Sequence, residues 1–212
     1  ATFETNTATA GSGGAIAFSK NAEGVTIGST FKSNVATTNG PAVSFYNSDA
    51  TISNIRINGS YFEGHSTQSG TVYFAKNPGD LIIDQTALHN NVVSNSRSGG
   101  AVYFPNVNSL RVTNSNFTEN RAPNGGAFYL PGGTSASYYF EGNKFNNNRA
   151  TSGDGGAIFF DKSVEIYNIQ FKDSSFDSNS AVRGGAIYFS DETTTYKYHN
   201  FAVDSCNFTN NN

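Results

Sequence analysis

One six-residue phrase recurs seven times along the chain, and it constrains the fold more than any other feature. It reads GGAIAF from Gly13, GPAVSF from Gly40, SGTVYF from Ser69, GGAVYF from Gly99, GGAFYL from Gly125, GGAIFF from Gly155 and GGAIYF from Gly184. A second phrase runs in phase with it: FETN from Phe3, FKSN from Phe31, FEGH from Phe62, LHNN from Leu88, FTEN from Phe117, FNNN from Phe145, FDSN from Phe176 and FTNN from Phe208. Successive starts of the second phrase lie 28, 31, 26, 29, 28, 31 and 32 residues apart. Phrases that hold while the spacing drifts around one value mark a solenoid, whose repeats cannot bury an apolar face alone and so stack on their neighbours.

Alignment on the motif Phe exposes an inward face. Seven and five residues before it stand Ile55 and Ile57, Leu81 and Ile83, Leu110 and Val112, Tyr138 and Phe140, Ile169 and Phe171, Phe201 and Val203, with Val25 and Ile27 in a first coil one residue shorter. This period of two is a strand with one buried side. In the glycine phrase the fourth and sixth positions, Ile187 and Phe189 for example, share a face in the same way. Two before the Phe comes a small residue, usually Ser, and Cys206 falls in that column as a small interior filler. Each repeat thus offers three short strands and no helical periodicity. The fold class that follows is all-β: a right-handed parallel β-helix of about seven coils of roughly 29 residues, forming a rod ~34 Å long at ~4.8 Å per coil. Glycine recurs because each coil enters the same strand through a tight corner that needs φ > 0 or close backbone approach. The motif Asn suits a left-handed corner and an amide ladder along the rod, through Asn6, Asn34, Asn91, Asn120, Asn148, Asn179 and Asn211; His65 is expected to break that ladder.

Composition agrees and narrows the function. Gly numbers 22, Met and Trp are absent, and only 14% of residues are charged, a balance that favours turns and strands over helices. A net charge of −3 gives no electrostatic case for nucleic acid or an anionic membrane. No apolar run approaches the ~20 residues of a membrane-spanning helix. The one cysteine, Cys206, cannot close an intramolecular disulfide. Both chain ends fall at the same point of the repeat. Residues 1–212 therefore read as a single β-helix segment cut within repeats from a longer chain.

Two outward columns are candidate ligand-binding surfaces. The fifth position of the glycine phrase holds Tyr73, Tyr103, Tyr129, Phe159 and Tyr188, expected to form a flat aromatic strip for sugar rings or a partner strand. Such aromatic neighbours also simply stabilise a sheet. Arg97, Arg121, Arg149 and Arg183 fall between the Phe phrase and the next glycine phrase in four successive coils, a ridge suited to sulfated glycans or acidic receptor segments. Its alternative is a charged edge that discourages lateral aggregation. The corner after the glycine strand varies most in length, where specificity in repeat proteins usually sits. Asn58, Asn116 and Asn207 head sequons that matter only in a eukaryotic secretory pathway.

Polysaccharide-active enzymes need carboxylates converging from neighbouring coils. Here Asp173, Asp204, Asp161 and Asp191 are dispersed and suit turns, so no catalytic residues are assigned. His65, His89 and His199 occupy unrelated places in their coils, which assigns no metal site and no cofactor.

GGA[I/V/F] alternating with FxxN at this spacing resembles the repeat of the polymorphic membrane proteins, the Pmp family of chlamydial autotransporters. Six of eight FxxN sites and five of seven GGA sites fit the pattern, and the resemblance covers the whole chain. It implies a cell-surface, extracellular passenger segment, secreted through a C-terminal outer-membrane barrel, that acts as an adhesin toward a host-cell surface protein or glycan. Similar repeats also occur in surface proteins of unicellular eukaryotes. The expected function is thus a non-catalytic adhesive segment with no nucleic-acid partner and no membrane insertion of its own. The alternatives are a structural shaft assembling with other copies or chains outside the cell and, third, a polysaccharide-active enzyme.

Overall fold

A computed structural model describes residues 1–94, 99–131, 136–161, 166–190 and 198–212. Within these residues every regular element is a strand and every strand pair is parallel. The chain winds as a β-solenoid of about seven turns, with successive turns in register.

Three long sheets run along the rod. The Phe sheet stacks Thr2–Glu4, Thr30–Lys32, Tyr61–Glu63, Ala87–His89, Asn116–Thr118, Lys144–Asn146, Ser175–Asp177 and Asn207–Thr209. The glycine sheet stacks Ile16–Phe18, Val43–Phe45, Val72–Phe74, Val102–Tyr103, Phe128–Pro131, Ile158–Asp161 and Ile187–Phe189. The third sheet, formed by the strands preceding each Phe, grows from Thr26–Ile27 to the seven-residue Ile166–Lys172. Sequence periodicity predicts three strands per coil; the structure adds a fourth. After the ladder residues of the first six repeats a two-residue ribbon pairs along the rod, as in Ser66–Thr67, Val92–Val93, Arg121–Ala122 and Arg149–Ala150. Two residues are too short to show alternation, which is why the pattern hides them.

The core follows the predicted period-two alternation except in the last turn, where Phe201 and Val203, expected inward, are 50% and 45% exposed because no described turn stacks on them. Ile55, Ile57, Leu81, Ile83, Leu110, Val112, Tyr138, Phe140, Ile169 and Phe171 are all buried. The motif Phe rings stack face to face: Phe3 on Phe31 at 5.0 Å, Phe31 on Phe62 at 4.8 Å, Phe117 on Phe145 at 4.9 Å and Phe145 on Phe176 at 4.7 Å. A parallel in-register stack forces like onto like, and each ring pair adds about 0.5–1.5 kcal/mol beyond its burial.

The corners correct one expectation. The left-handed residue is not the motif Asn but its predecessor, in all eight repeats: Thr5, Ser33, Gly64, Asn90, Glu119, Asn147, Ser178 and Asn210, with φ between 47° and 69°. This turn aims the next residue's N–H along the rod, and the Asn of the following coil receives it. Asn120 N–H and Nδ2 both donate to Asn148 Oδ1, each at 3.1 Å, and Asn148 repeats the pattern on Asn179 at 3.0 Å. The second amide hydrogen goes back into the preceding coil, Asn148 Nδ2 to Phe117 O at 2.8 Å. The inner rungs Asn91, Asn120, Asn148 and Asn179 are saturated although fully buried.

His65 does not break this ladder; it is a rung of it. Asn91 Oδ1 can only accept, so His65 Nδ1 carries the proton and donates at 3.0 Å, while Nε2 accepts from Asn34 Nδ2 at 3.3 Å. A neutral imidazole has one donor and one acceptor, and so reproduces the directionality of an amide. Burial, the chief cause, lowers the His65 pKa to about 4, against smaller raising effects from Asn91 and Glu63.

The small column two before the Phe is a second ladder rather than filler. It too follows left-handed residues, among them Gln85, Asn114 and Asp173. Ser60 N–H donates to Thr86 Oγ1 at 3.4 Å, Thr86 N–H to Ser115 Oγ at 3.1 Å, and Asn143 N–H to Ser174 Oγ at 3.1 Å. Cys206 takes the equivalent place, its thiol directed to Asp204 O at 3.3 Å. Ser115→Ala removes the hydroxyl that accepts from the buried Thr86 N–H and is expected to cost about 1–2 kcal/mol in urea unfolding. A cost within about 0.3 kcal/mol would return the column to mere space filling.

The double glycine has two separate causes. The first, as at Gly125, sits at φ 57°. The second, as at Gly156, has no such φ, but a Cβ there would collide with Gly185 O and with Ser180 N of the next coil. The first glycine turns the chain and the second lets the coils touch.

Candidate functional site

The glycine sheet directs the aromatic column outward and in register. Tyr73 pairs with Tyr103, their rings 5.0 Å apart and 6° from parallel. Tyr129 pairs with Phe159 at 5.1 Å, and Phe159 with Tyr188 at 5.8 Å. The strip is less open than its sequence suggests. Tyr129 is only 9% exposed and the other four are half-buried, while Ser44 in the same column is fully buried. Burial, followed by the proximity of Tyr103, raises the Tyr73 pKa. Further along, the polar tips are engaged: Tyr129 donates to the Asp161 carboxylate, and the Arg183 guanidinium lies over the Tyr188 ring, 4.7 Å from its centre.

The arginine ridge divides. Arg97 lies outside the described residues. Arg121 and Arg149 are direct register partners in the fourth ribbon, both exposed, and Arg149 bridges onward to Ser180. Arg183 falls three residues past that bridge and is diverted to Asp154, with Nε on Oδ1 at 3.1 Å and Nη2 on Oδ2 at 2.6 Å. This fork locks one arginine against a carboxylate only 9% exposed. Beside Arg149 lies a shallow groove of about 230 Å³, lined by Ala150, Thr151, Ser180, Ala181 and Val182, with Val182 73% exposed.

A second groove, of about 340 Å³, occupies the variable corner between the first coils and is lined by Lys20, Asn21, Asn47, Asp49 and Ala50. Its polar groups hold the corner itself. Asn47 Nδ2 donates to Ser19 O at 2.8 Å and Thr51 N–H to Asn21 Oδ1 at 2.8 Å. Loop length pointed to this corner; sequence gave no signal for the groove.

The acids are occupied structurally. Asp154 is held by Arg183 and Asp161 by Tyr129; Glu141 is held by Tyr139 at 2.7 Å, Lys172 at 3.2 Å and Arg111 at 3.4 Å. Asp173 is a left-handed corner residue, Asp204 accepts from the hydroxyl of its neighbour Ser205, and Asp191 lies outside the described residues. His65 is in the core, His89 faces Glu119 on the Phe sheet at 3.9 Å, and His199 stacks on Tyr167 at 4.9 Å. Among the described residues no three His, Cys, Asp or Glu side chains group as metal ligands. No helix there is long and apolar enough to cross a membrane. Of the sequon residues, Asn116 and Asn207 are exposed in one outward column of the Phe sheet, and Asn58 is half-buried.

Residues 144–161 and 173–190 match the family model of the Chlamydia polymorphic membrane protein repeat. Over these two segments the chain is similar to that family's repeat. Each matched segment covers the part of one coil that runs from the Phe motif through the ladder Asn to the glycine strand, and together they contain Arg149, Phe159, Arg183 and Tyr188. No curated protein and no solved structure matches the chain.

Proposed function

We propose that this chain is a non-catalytic adhesive segment of a cell-surface β-solenoid, holding a host-cell protein or glycan on its outward columns. The observation that carries the reading is the Tyr73–Tyr103 pair, two parallel half-exposed rings on the outer face of a stiff rod that bears Pmp repeats. Flat stacked rings offer apolar area with little rotamer entropy left to lose, which suits the face of a sugar or an extended peptide. The location this family supports is the cell surface, in association with an outer membrane. Non-catalytic action is supported by Asp154, Asp161 and Glu141 each being tied up by Arg or Tyr partners.

A structural shaft is the second reading. What favours it is the internal use of much of the strip, Tyr129 by Asp161 and Tyr188 by Arg183. Saturable binding of the soluble chain to cultured animal cells, lost in the Tyr73→Ser/Tyr103→Ser variant with its melting temperature kept, is the result expected of the adhesive segment. Binding that is absent, or indifferent to both substitutions, moves the assignment to the shaft.

A further inference from the structure

We infer that Arg121 and Arg149 form a clasp for a sulfate ester, and that the ligand class of this surface is a sulfated glycan; the inference rests on the adhesive reading above. The two residues are stacked in register one coil apart, about 4.8 Å between backbones. Both side chains are exposed, and neither makes an ion pair with any described residue. Like charges directly opposite across neighbouring strands repel and destabilise the pair. Nothing in the fold asks for them. The same ribbon position is Val35 and Val92 in earlier coils and is bridged by Ser180 in the next.

The surroundings leave this pair available. Glu119, two residues before Arg121, faces His89, and Asp154 is committed to Arg183. A single anion between the two guanidiniums would remove the repulsion and take two forked contacts, the geometry by which arginine prefers sulfate, phosphate and carboxylate. The choice among these is made by the groove beside Arg149. Its lining includes Ser180, Thr151, whose hydroxyl donates to Ala122 O and can still accept, and the exposed apolar Val182. An anion on a ring with hydroxyls of its own, a sulfated sugar, uses all of these; an acidic peptide uses only the charges.

The test is fluorescence anisotropy of a labelled heparin hexasaccharide with the intact chain at low and high salt, beside chemically desulfated hexasaccharide, inorganic sulfate and a poly-glutamate peptide. The clasp predicts salt-sensitive binding of the sulfated probe and little of the desulfated one. It predicts about a 10-fold loss in Arg121→Ala/Arg149→Ala, and most of that loss in the double Lys variant, which keeps charge but not the fork. Arg183→Ala, already paired, is expected to leave affinity unchanged. Unchanged melting of the clasp variants rules out misfolding as the cause. Affinity that survives both alanines, or poly-glutamate binding as tightly as heparin, overturns the clasp. Inorganic sulfate competing at the same concentration as the hexasaccharide overturns the glycan half of it. A chain that binds heparin through these arginines but binds no cell supports the clasp while sinking the adhesive reading.

Discussion

Phe145→Ala is expected to lower the unfolding free energy by about 3–5 kcal/mol, the range for emptying a buried Phe site that cannot collapse. Phe145 is 1% exposed and sits between Phe117 at 4.9 Å and Phe176 at 4.7 Å, with the edges of Phe128 and Phe140 at 6.4 Å and 6.1 Å. Each surrounding ring belongs to a strand whose height along the rod is set by its own hydrogen bonds. The Asn120–Asn148–Asn179 ladder holds the same coils apart from the next corner. Relaxation into the void would have to break those bonds, so most of the cavity persists. Phe208 supplies the internal comparison: it stacks on Phe176 at 4.7 Å but is 44% exposed, and its removal should cost no more than about half as much. Urea unfolding followed by circular dichroism measures both. Equal costs at the two sites would mean that burial along the rod is not what stabilises the Phe column.

These two residues also show how far the sequence was legible. Phe145 and Phe208 could be assigned inward from spacing alone, because a solenoid repeats each side-chain direction at every turn and averages out local exceptions. The same averaging made the Asn column visible. What spacing does not carry is the identity of the backbone conformation beneath it. Asn tolerates left-handed φ, which points to Asn148 as the corner, whereas Asn147 takes the left-handed φ and Asn148 the hydrogen bonds. The serine column hid its role for a related reason, since a small polar residue fits a tight interior whether or not its hydroxyl is used. At the candidate surface, direction was readable and availability was not. Tyr129 points outward as expected but is covered, and Arg183 shares a ridge with Arg149 yet is spent on Asp154. Exposure and pairing depend on contacts between coils and loops, and these vary just where the repeat does.

The remaining large effect is on pH, and His65 carries it. Its folded pKa, about 4, lies below the ordinary value of 6.5, because the buried ladder admits only the neutral ring. Above pH 6.5 neither the folded nor the unfolded chain holds a proton there, and the rung contributes fully. As pH falls from 6.5 toward 4 the unfolded chain takes up a proton that the folded chain refuses. Stability should drop by up to about 1.4 kcal/mol per pH unit, on the order of 3 kcal/mol across the window. Below about 4 the folded imidazole is protonated as well and the loss levels off. Protonation also turns Nε2 into a donor facing Asn34 Nδ2, itself a donor, so the charged rung loses a bond as well as solvation. Glu63 is the one charge with a resolved effect on the ring, and it favours the proton too weakly to offset burial. His65→Asn restores the residue found at every other rung. It should remove this slope while leaving the carboxylate contributions at lower pH, such as those of Asp177 and Glu141, in place. The measurement is the difference in urea unfolding free energy between His65→Asn and the parent chain at intervals from pH 7 to pH 4. A difference that widens toward acid by about 2–3 kcal/mol identifies His65 as a neutral rung. A constant difference would mean that the folded ring accepts its proton at the ordinary pH, and that the ladder can reorient around a charge.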